Sequence, residues 1–343
     1  MNIKEIKNTV KSPKYDFLRE REGLGDNIIL LTLGGSYAYG TNTLISDLDV
    51  RGICLNTKEE LLTMQCRDKP YKNKETDTVV YPLYQLSRLL YDANPNVLEI
   101  LGTKEDQLFT CNKQGRLLRE NSNLFLSKKV IYSFGGYAAT QLRKLQNALA
   151  RDSYPQGEKE KHIFDTLTRQ MIYFREKYAK FDENSIKLSI DKSEKEDYEE
   201  EIFVDVDLKH YPLRDFTSIY SEINNILSQY GSLNSRNRKK DELHLNKHAM
   251  HLIRILVMGT EILEGKGINT YREKDRDFFM KIRNGELVLK KNGEDDYSQV
   301  FEIVDEYERK FGYAAENTAL PDSPDQEKIK ELIMTLNMSV LKQ

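Results

Sequence analysis

The run Ile28-Ile29-Leu30-Leu31-Thr32-Leu33 is almost wholly apolar and reads as a β-strand. The pair Gly34-Gly35 and Ser36 then make a turn, and Tyr37–Thr41 begins a short helix. A second strand is predicted over Leu48–Leu55, carrying Asp49 and then Arg51. After a helical turn at Lys58–Leu62 and a polar loop, Glu75–Tyr81 alternates and is rich in β-branched residues. It predicts a third strand. Pro82 suits the start of a helix running to about Tyr91, and Asn94-Pro95-Asn96 starts another through Leu101. Upstream, the alternating charges of residues 14–24 predict a helix that stops near Gly23 and Gly25.

Beyond residue 127 the period becomes helical. Ser127–Leu149 is one segment, broken by Gly135-Gly136, and a second runs from about Glu158 to Tyr178. The acidic stretch Asp191–Glu201 reads as a solvated loop or exposed helix. Residues 213–230 are amphipathic, and Ser232–Lys240 is a basic connector. The strongest helical pattern lies at 243–264, where Leu245, Ala249, Leu252, Leu256 and Leu263 trace an apolar stripe. The expected division is an α/β module over 1–126 and a mostly helical region over 127–343. At 343 residues, two domains are also what length alone suggests.

Composition narrows the class. The net charge of −3 gives no global basic field for nucleic acid, although local patches remain open. No apolar stretch reaches the roughly 18 residues of a membrane span, and the first residues lack the apolar core of a secretion signal. Cys54, Cys66 and Cys111 have no metal-ligand spacing and predict reduced thiols in a cytoplasmic protein. Tyr is abundant at 20 while Trp is absent, so any base stacking falls to tyrosine.

The chemistry concentrates between Gly35 and Gly52. Asp47 and Asp49 flank Leu48, so in an extended segment the two carboxylates share a face. Such a pair repels itself unless a cation sits between, and hard oxygen ligands suit Mg²⁺ or Mn²⁺. Just upstream, Gly35 and Ser36 can offer backbone N–H groups and a hydroxyl to phosphate. Ser36 also fits an ordinary helix cap, and both roles use the same unpaired donors. Thr41 and Ser46 would order the loop or touch phosphate. Arg51, alternating with Asp49, would face the site or bridge to a carboxylate.

The string Leu33-Gly34-Gly35-Ser36 followed by Asp47-Leu48-Asp49-Val50 resembles the signature of the DNA polymerase β-like nucleotidyltransferase superfamily. Its extended form has Tyr39-Gly40-Thr41, Ser46 and Arg51-Gly52. It is similar to the branch of predicted nucleotidyltransferases associated with RNA ligases, in RNA repair and phage defence. Asn94–Leu101, His251–Arg254 leading to Glu261-Ile262-Leu263, and Arg283-Asn284-Gly285-Glu286 also fit that branch. The resemblance implies a polymerase-β-like core followed by a helical domain, with two Mg²⁺ or Mn²⁺ ions as cofactors. It also implies a third carboxylate on a neighbouring strand. Asp77 is the candidate, and Glu75, on the same predicted strand face, is the rival. A helical domain in these families supplies cations to the triphosphate. Lys247, His251 and Arg254 share one stripe of the 243–264 helix, so Lys247 and Arg254 become candidate nucleotide contacts; a plain solvated face is the alternative. His244 and His248, one helical turn apart, lack the further ligands of a zinc site. Glu99 reads as structural.

The activity so implied is attack by a hydroxyl on the α-phosphate of an NTP, ATP included, or of a dNTP, with release of pyrophosphate. The acceptor is expected to be a nucleic-acid end or short oligonucleotide. Arg236, Arg238, Lys239 and Lys240 form a local anchor or simply a solvated loop. Adenylylation of a protein or small molecule, and a non-catalytic nucleotide-binding module with a protein partner, remain the alternatives.

Overall fold

The structure is a computed structural model that describes residues 2–152, 156–193, 200–236, 242–291 and 294–342. It has a mixed five-stranded sheet with flanking helices, followed by a mostly helical region.

The sheet is built from β1 (Ile28–Leu33), β2 (Val50–Cys54), β3 (Tyr71–Asn73), β4 (Thr78–Pro82) and β5 (Leu108–Cys111), in the order β3-β4-β2-β1-β5. β2 and β4 are parallel, and the other neighbours are antiparallel. All six residues of β1 are buried, which is why its sequence is a continuous apolar run rather than an alternation. The helices of this part are α1 (Ile3–Val10), α2 (Phe17–Glu20), α3 (Gly35–Tyr39), α4 (Lys58–Thr63), α5 (Leu83–Tyr91), α6 (Pro95–Leu101) and α7 (Lys113–Glu120). Then follow α8 (Lys129–Asp152), α9 (Gln156–Lys177), α10 (Leu213–Arg236), α11 (Glu242–Leu263), α12 (Arg276–Arg283), α13 (Ser298–Asn317) and α14 (Gln326–Leu341).

The N-terminal segment closes one side of the sheet. Val10, Tyr15, Leu18 and Leu24 pack with Ile28, Leu31, Val50, Cys54, Tyr71 and Val80 in one buried cluster. Asn2 caps α1 in a reciprocal box with Glu5, so two unpaired N–H donors are satisfied at once.

Several expectations need correcting. The helix expected over 14–24 is a 3₁₀ turn at Pro13–Tyr15 followed by the short α2. Tyr15 and Leu18 are buried, but Arg21 is already extended and Gly23 and Gly25 take left-handed φ, so α2 stops after one turn. The strand expected from Glu75 begins only at Thr78. Asn73 Oδ1 accepts from the N–H groups of Glu75, at 2.9 Å, and of Thr76, at 3.3 Å, and this side-chain-closed turn joins β3 to β4. Gly135-Gly136 does not interrupt α8. Part of the acidic stretch pairs as strands, in a two-stranded ribbon of β6 (Ile186–Lys192) and β7 (Glu200–Val206). A second ribbon joins β8 (Leu289–Lys291) to β9 (Glu294–Asp296).

The chain divides by contacts into two compact units, residues 1–143 with 242–343, and residues 144–241. The first unit holds α11–α14 together with the sheet. In the first unit α11 packs on α12 and α13. The apolar stripe of α11 is buried as expected, but so are Met250, Ile253, Ile255, Met258 and Ile262. This helix is enclosed on most sides. In the second unit, Met171, Phe174, Tyr178, Phe181, Ile186 and Ile219 form a separate core of α9, β6 and α10.

Candidate active site

The glycine motif sits where β1 ends. Gly34 N–H donates to the carbonyl of Asp49 at 2.9 Å, continuing the β1–β2 ladder by one step. Gly35 then adopts φ +52°, a conformation that favours glycine. A Cβ on Gly35 would overlap Asp49 Oδ2, so only glycine permits this approach of backbone to carboxylate. Gly40 ends α3 in the left-handed region, and both its N–H and that of Thr41 return to the Ser36 carbonyl.

Asp49 lies just before β2 and Asp77 just before β4, side by side because those strands are parallel neighbours. The Asp77 carbonyl accepts from Val50 N–H at 3.2 Å and from Arg51 Nη1. Asp77 takes φ +42°, in a region that Asp tolerates better than most residues. Arg51 Nη2 lies 2.9 Å from Asp49 Oδ1 and 3.4 Å from Asp77 Oδ1, bridging the two side chains. Burial pushes the Asp49 carboxyl up to about 6; Arg51 opposes this, and the adjoining Asp77 carboxyl adds to it. Two hard oxygen donors crowded together and only partly compensated are what a divalent cation would relieve.

Asp47 stands apart. Its side chain is exposed and makes no polar contact among the described residues. No group of three or more His, Cys, Asp or Glu side chains among the described residues is close enough to hold a metal ion. Glu75 is exposed on the turn, and no contact links it to Asp49. Of the candidate carboxylates, the fold therefore brings Asp49 and Asp77 together.

The loop from Gly40 to Asp47 is held from a distance. Arg272 N–H donates to Tyr39 O at 3.0 Å, Arg276 Nε to Gly40 O at 2.9 Å, and Arg283 Nη1 to Thr41 O. Arg283 Nη2 reaches Ser46 Oγ at 3.2 Å. Thr41 is fully buried, and its hydroxyl has no partner among the described residues. Sequence reasoning missed Arg272 and Arg276, because nothing in the helical period distinguishes them from solvated cations. Arg283 left only the weak signal of its Arg-Asn-Gly-Glu string.

The expected cationic stripe on α11 is split by burial. Lys247 is exposed, His251 half-buried, and Arg254 only 1% exposed. Arg254 Nη2 lies 3.1 Å from His251 Nδ1, and Nη1 lies 3.9 Å from Glu99 Oε2. Burial, with the charges of Arg254, His248 and Lys247, holds His251 well below its ordinary value, so its ring is neutral. The Tyr39 hydroxyl donates to Glu99 Oε2, and the Thr270 hydroxyl donates to the Glu99 carbonyl at 2.7 Å. Glu99, expected to be structural, thus joins α3, α6 and α11. The side chain of His244, and residues Arg238, Lys239 and Lys240, lie outside the described residues.

Residues 5–171 match the model of the RNA repair pathway DNA polymerase beta family. The matched span contains the whole sheet, the glycine motif and all four candidate carboxylates. It supports assignment to the polymerase-β-like nucleotidyltransferase superfamily and its RNA-repair branch, and with it an enzyme of nucleotidyltransferase type. No curated protein and no solved structure matches the chain. Among the described residues, no helix is long and apolar enough to cross a membrane.

Proposed function

We propose that the protein is a divalent-cation-dependent nucleotidyltransferase. It moves a nucleoside monophosphate from an NTP or dNTP to a hydroxyl acceptor at the end of a nucleic acid or short oligonucleotide, releasing pyrophosphate. The observation that carries this reading is the packing of Gly34-Gly35 directly against Asp49, with Asp77 alongside. The family match over residues 5–171 supports the same reaction class.

Asp49 and Asp77 adjoin and offer hard oxygen donors of the kind Mg²⁺ or Mn²⁺ takes. Asp47, which stands apart on the loop just before, would have to move toward them to complete the ligands. Two bound ions would acidify the attacking hydroxyl and offset the charge of the departing pyrophosphate. The rest falls to the chain itself. Asp49 is a ligand only when deprotonated, so its oxygens become available above about pH 6. Gly35 keeps the space beside that carboxylate open, and the Gly35 and Ser36 N–H groups would receive phosphate oxygens. Lys247, exposed on α11, would offer a cation to the triphosphate. No protein nucleophile is required, since positioning and charge neutralisation supply the acceleration.

The net charge of −3 favours a short or single-stranded end over a long duplex as acceptor. The test is incubation of the pure protein with each labelled NTP and dNTP in Mg²⁺ or Mn²⁺, with and without RNA or DNA ends. The expected label is nuclease-sensitive, as extended ends or short oligomers. Label removed by protease and not by nuclease would replace this reading with protein adenylylation. Tight NTP binding without incorporation would make the protein a non-catalytic module.

A further inference from the structure

Three consecutive carbonyls, those of Tyr39, Gly40 and Thr41, each receive a donor from one remote stretch of chain: Arg272 N–H, Arg276 Nε and Arg283 Nη1. These oxygens lie at the C-terminal end of α3, where a helix leaves its carbonyls unpaired. Arg283 spans further, because its second amino group meets Ser46 Oγ at 3.2 Å, one residue before Asp47. Ser46 Oγ in turn accepts the Thr43 N–H at 2.9 Å. One guanidinium therefore ties both ends of the Thr41–Ser46 loop. The approach is tight: Gly40, at φ +75°, would place a Cβ 2.7 Å from the Tyr271 ring. Burial also lowers the Arg283 side chain from its ordinary value, a cost that its hydrogen bonds must repay.

We propose that Arg276 and Arg283 are positioning residues that set the backbone of the loop carrying Asp47, and with it the distance of this carboxylate from Asp49 and Asp77. The role rests on the metal-binding reading of that loop. A solubilising role does not need two amino groups aimed at two acceptors five residues apart, whereas the planar fork of arginine supplies that geometry and lysine does not. The exposed tip argues the same way: Leu44 and Ile45 are almost wholly solvent-accessible, so the loop has no apolar anchor of its own. Its shape is set by the polar contacts at its base.

The experiment compares Arg283→Ala, Arg283→Lys and Ser46→Ala with the parent chain, by hydrogen exchange of amides 41–48 and by Mn²⁺ binding. Ser46→Ala removes a single hydroxyl and guards against a variant that fails to fold. The expected result in Arg283→Ala is exchange about tenfold faster, confined to the loop, and Mn²⁺ affinity weakened by roughly 10- to 100-fold. Added guanidinium should restore both, Arg283→Lys should not, and Ser46→Ala should show a smaller change in the same direction. Unchanged loop exchange in Arg283→Ala, or faster exchange spread equally through β1 and α11, overturns the proposal. A parent chain that binds no Mn²⁺ contradicts the metal reading itself, and loop exchange then still decides whether the clamp exists.

Discussion

The guanidinium carbon of Arg254 lies 3.4 Å from the centre of the Tyr39 ring, stacking a fully buried cation on the last residue of the motif helix. Glu99 closes the arrangement, accepting from the Tyr39 hydroxyl and facing Arg254 Nη1 at 3.9 Å. The glycine motif is therefore braced from beneath by α6 and α11.

Arg254→Ala should be strongly destabilising, because it leaves the Glu99 carboxylate buried without its cation. The expected loss is about 3–5 kcal/mol in urea denaturation. Adding Glu99→Gln to that variant should recover part of it, since the stranded charge is then gone. A loss below about 1 kcal/mol would mean that the pair is not a brace.

The same site predicts a pH dependence. Burial raises the Glu99 carboxyl to about 7, with Arg254 opposing. A folded value above the unfolded one favours the protonated fold. This stabilisation is therefore complete below about 4.5, where the unfolded carboxyl is also protonated, and is lost as pH rises through 7. Calorimetry between pH 5 and 8 should show a falling Tm that Glu99→Gln flattens. An equal slope in both proteins would assign the effect to other groups.

The sequence was most legible where one physical cause acted alone. The strand Ile28–Leu33 matches its apolar run residue for residue, and Asn94 caps α6 as its Asn-Pro start suggested. The glycine motif meets Asp49 through the pairing of β1 with β2, whereas Asp47, expected on the same face as Asp49, stands apart because β2 begins only at Val50. The turn that places Asp77 was hidden because β-branched Thr76 continues the pattern of β4 upstream of Thr78, while the decisive bond comes from the side chain of Asn73. Arg254 was misplaced for another reason. Its helical stripe is polar in sequence, yet the ring of Tyr39 and the carboxylate of Glu99 make burial tolerable. Periodicity cannot register partners contributed by other elements.

The third carboxylate is open to direct comparison. Asp77→Ala should lose transfer activity and Mn²⁺-dependent stabilisation together, while Glu75→Ala, exposed on the turn, should keep both. Loss of activity in Glu75→Ala with Asp77→Ala unaffected would reverse the assignment.

Lys247 tests the part of the site that α11 supplies. Lys247→Ala should weaken NTP binding by about 1.5–3 kcal/mol, the value of a charge-assisted hydrogen bond. Because the side chain is exposed, the unfolding midpoint should not move. Unchanged NTP affinity would leave this lysine as a solvated charge.

The central claim is that the carboxylate packed on Gly35 serves cation-dependent nucleotidyl transfer. Pyrophosphate release from NTP in Mg²⁺ or Mn²⁺, measured for the parent chain and for Asp49→Asn with their unfolding curves, tests it most directly. Release by the parent that stops without the cation, and a correctly folded Asp49→Asn with release reduced by at least about 100-fold, is the predicted result. Undiminished release by a folded Asp49→Asn would contradict the account.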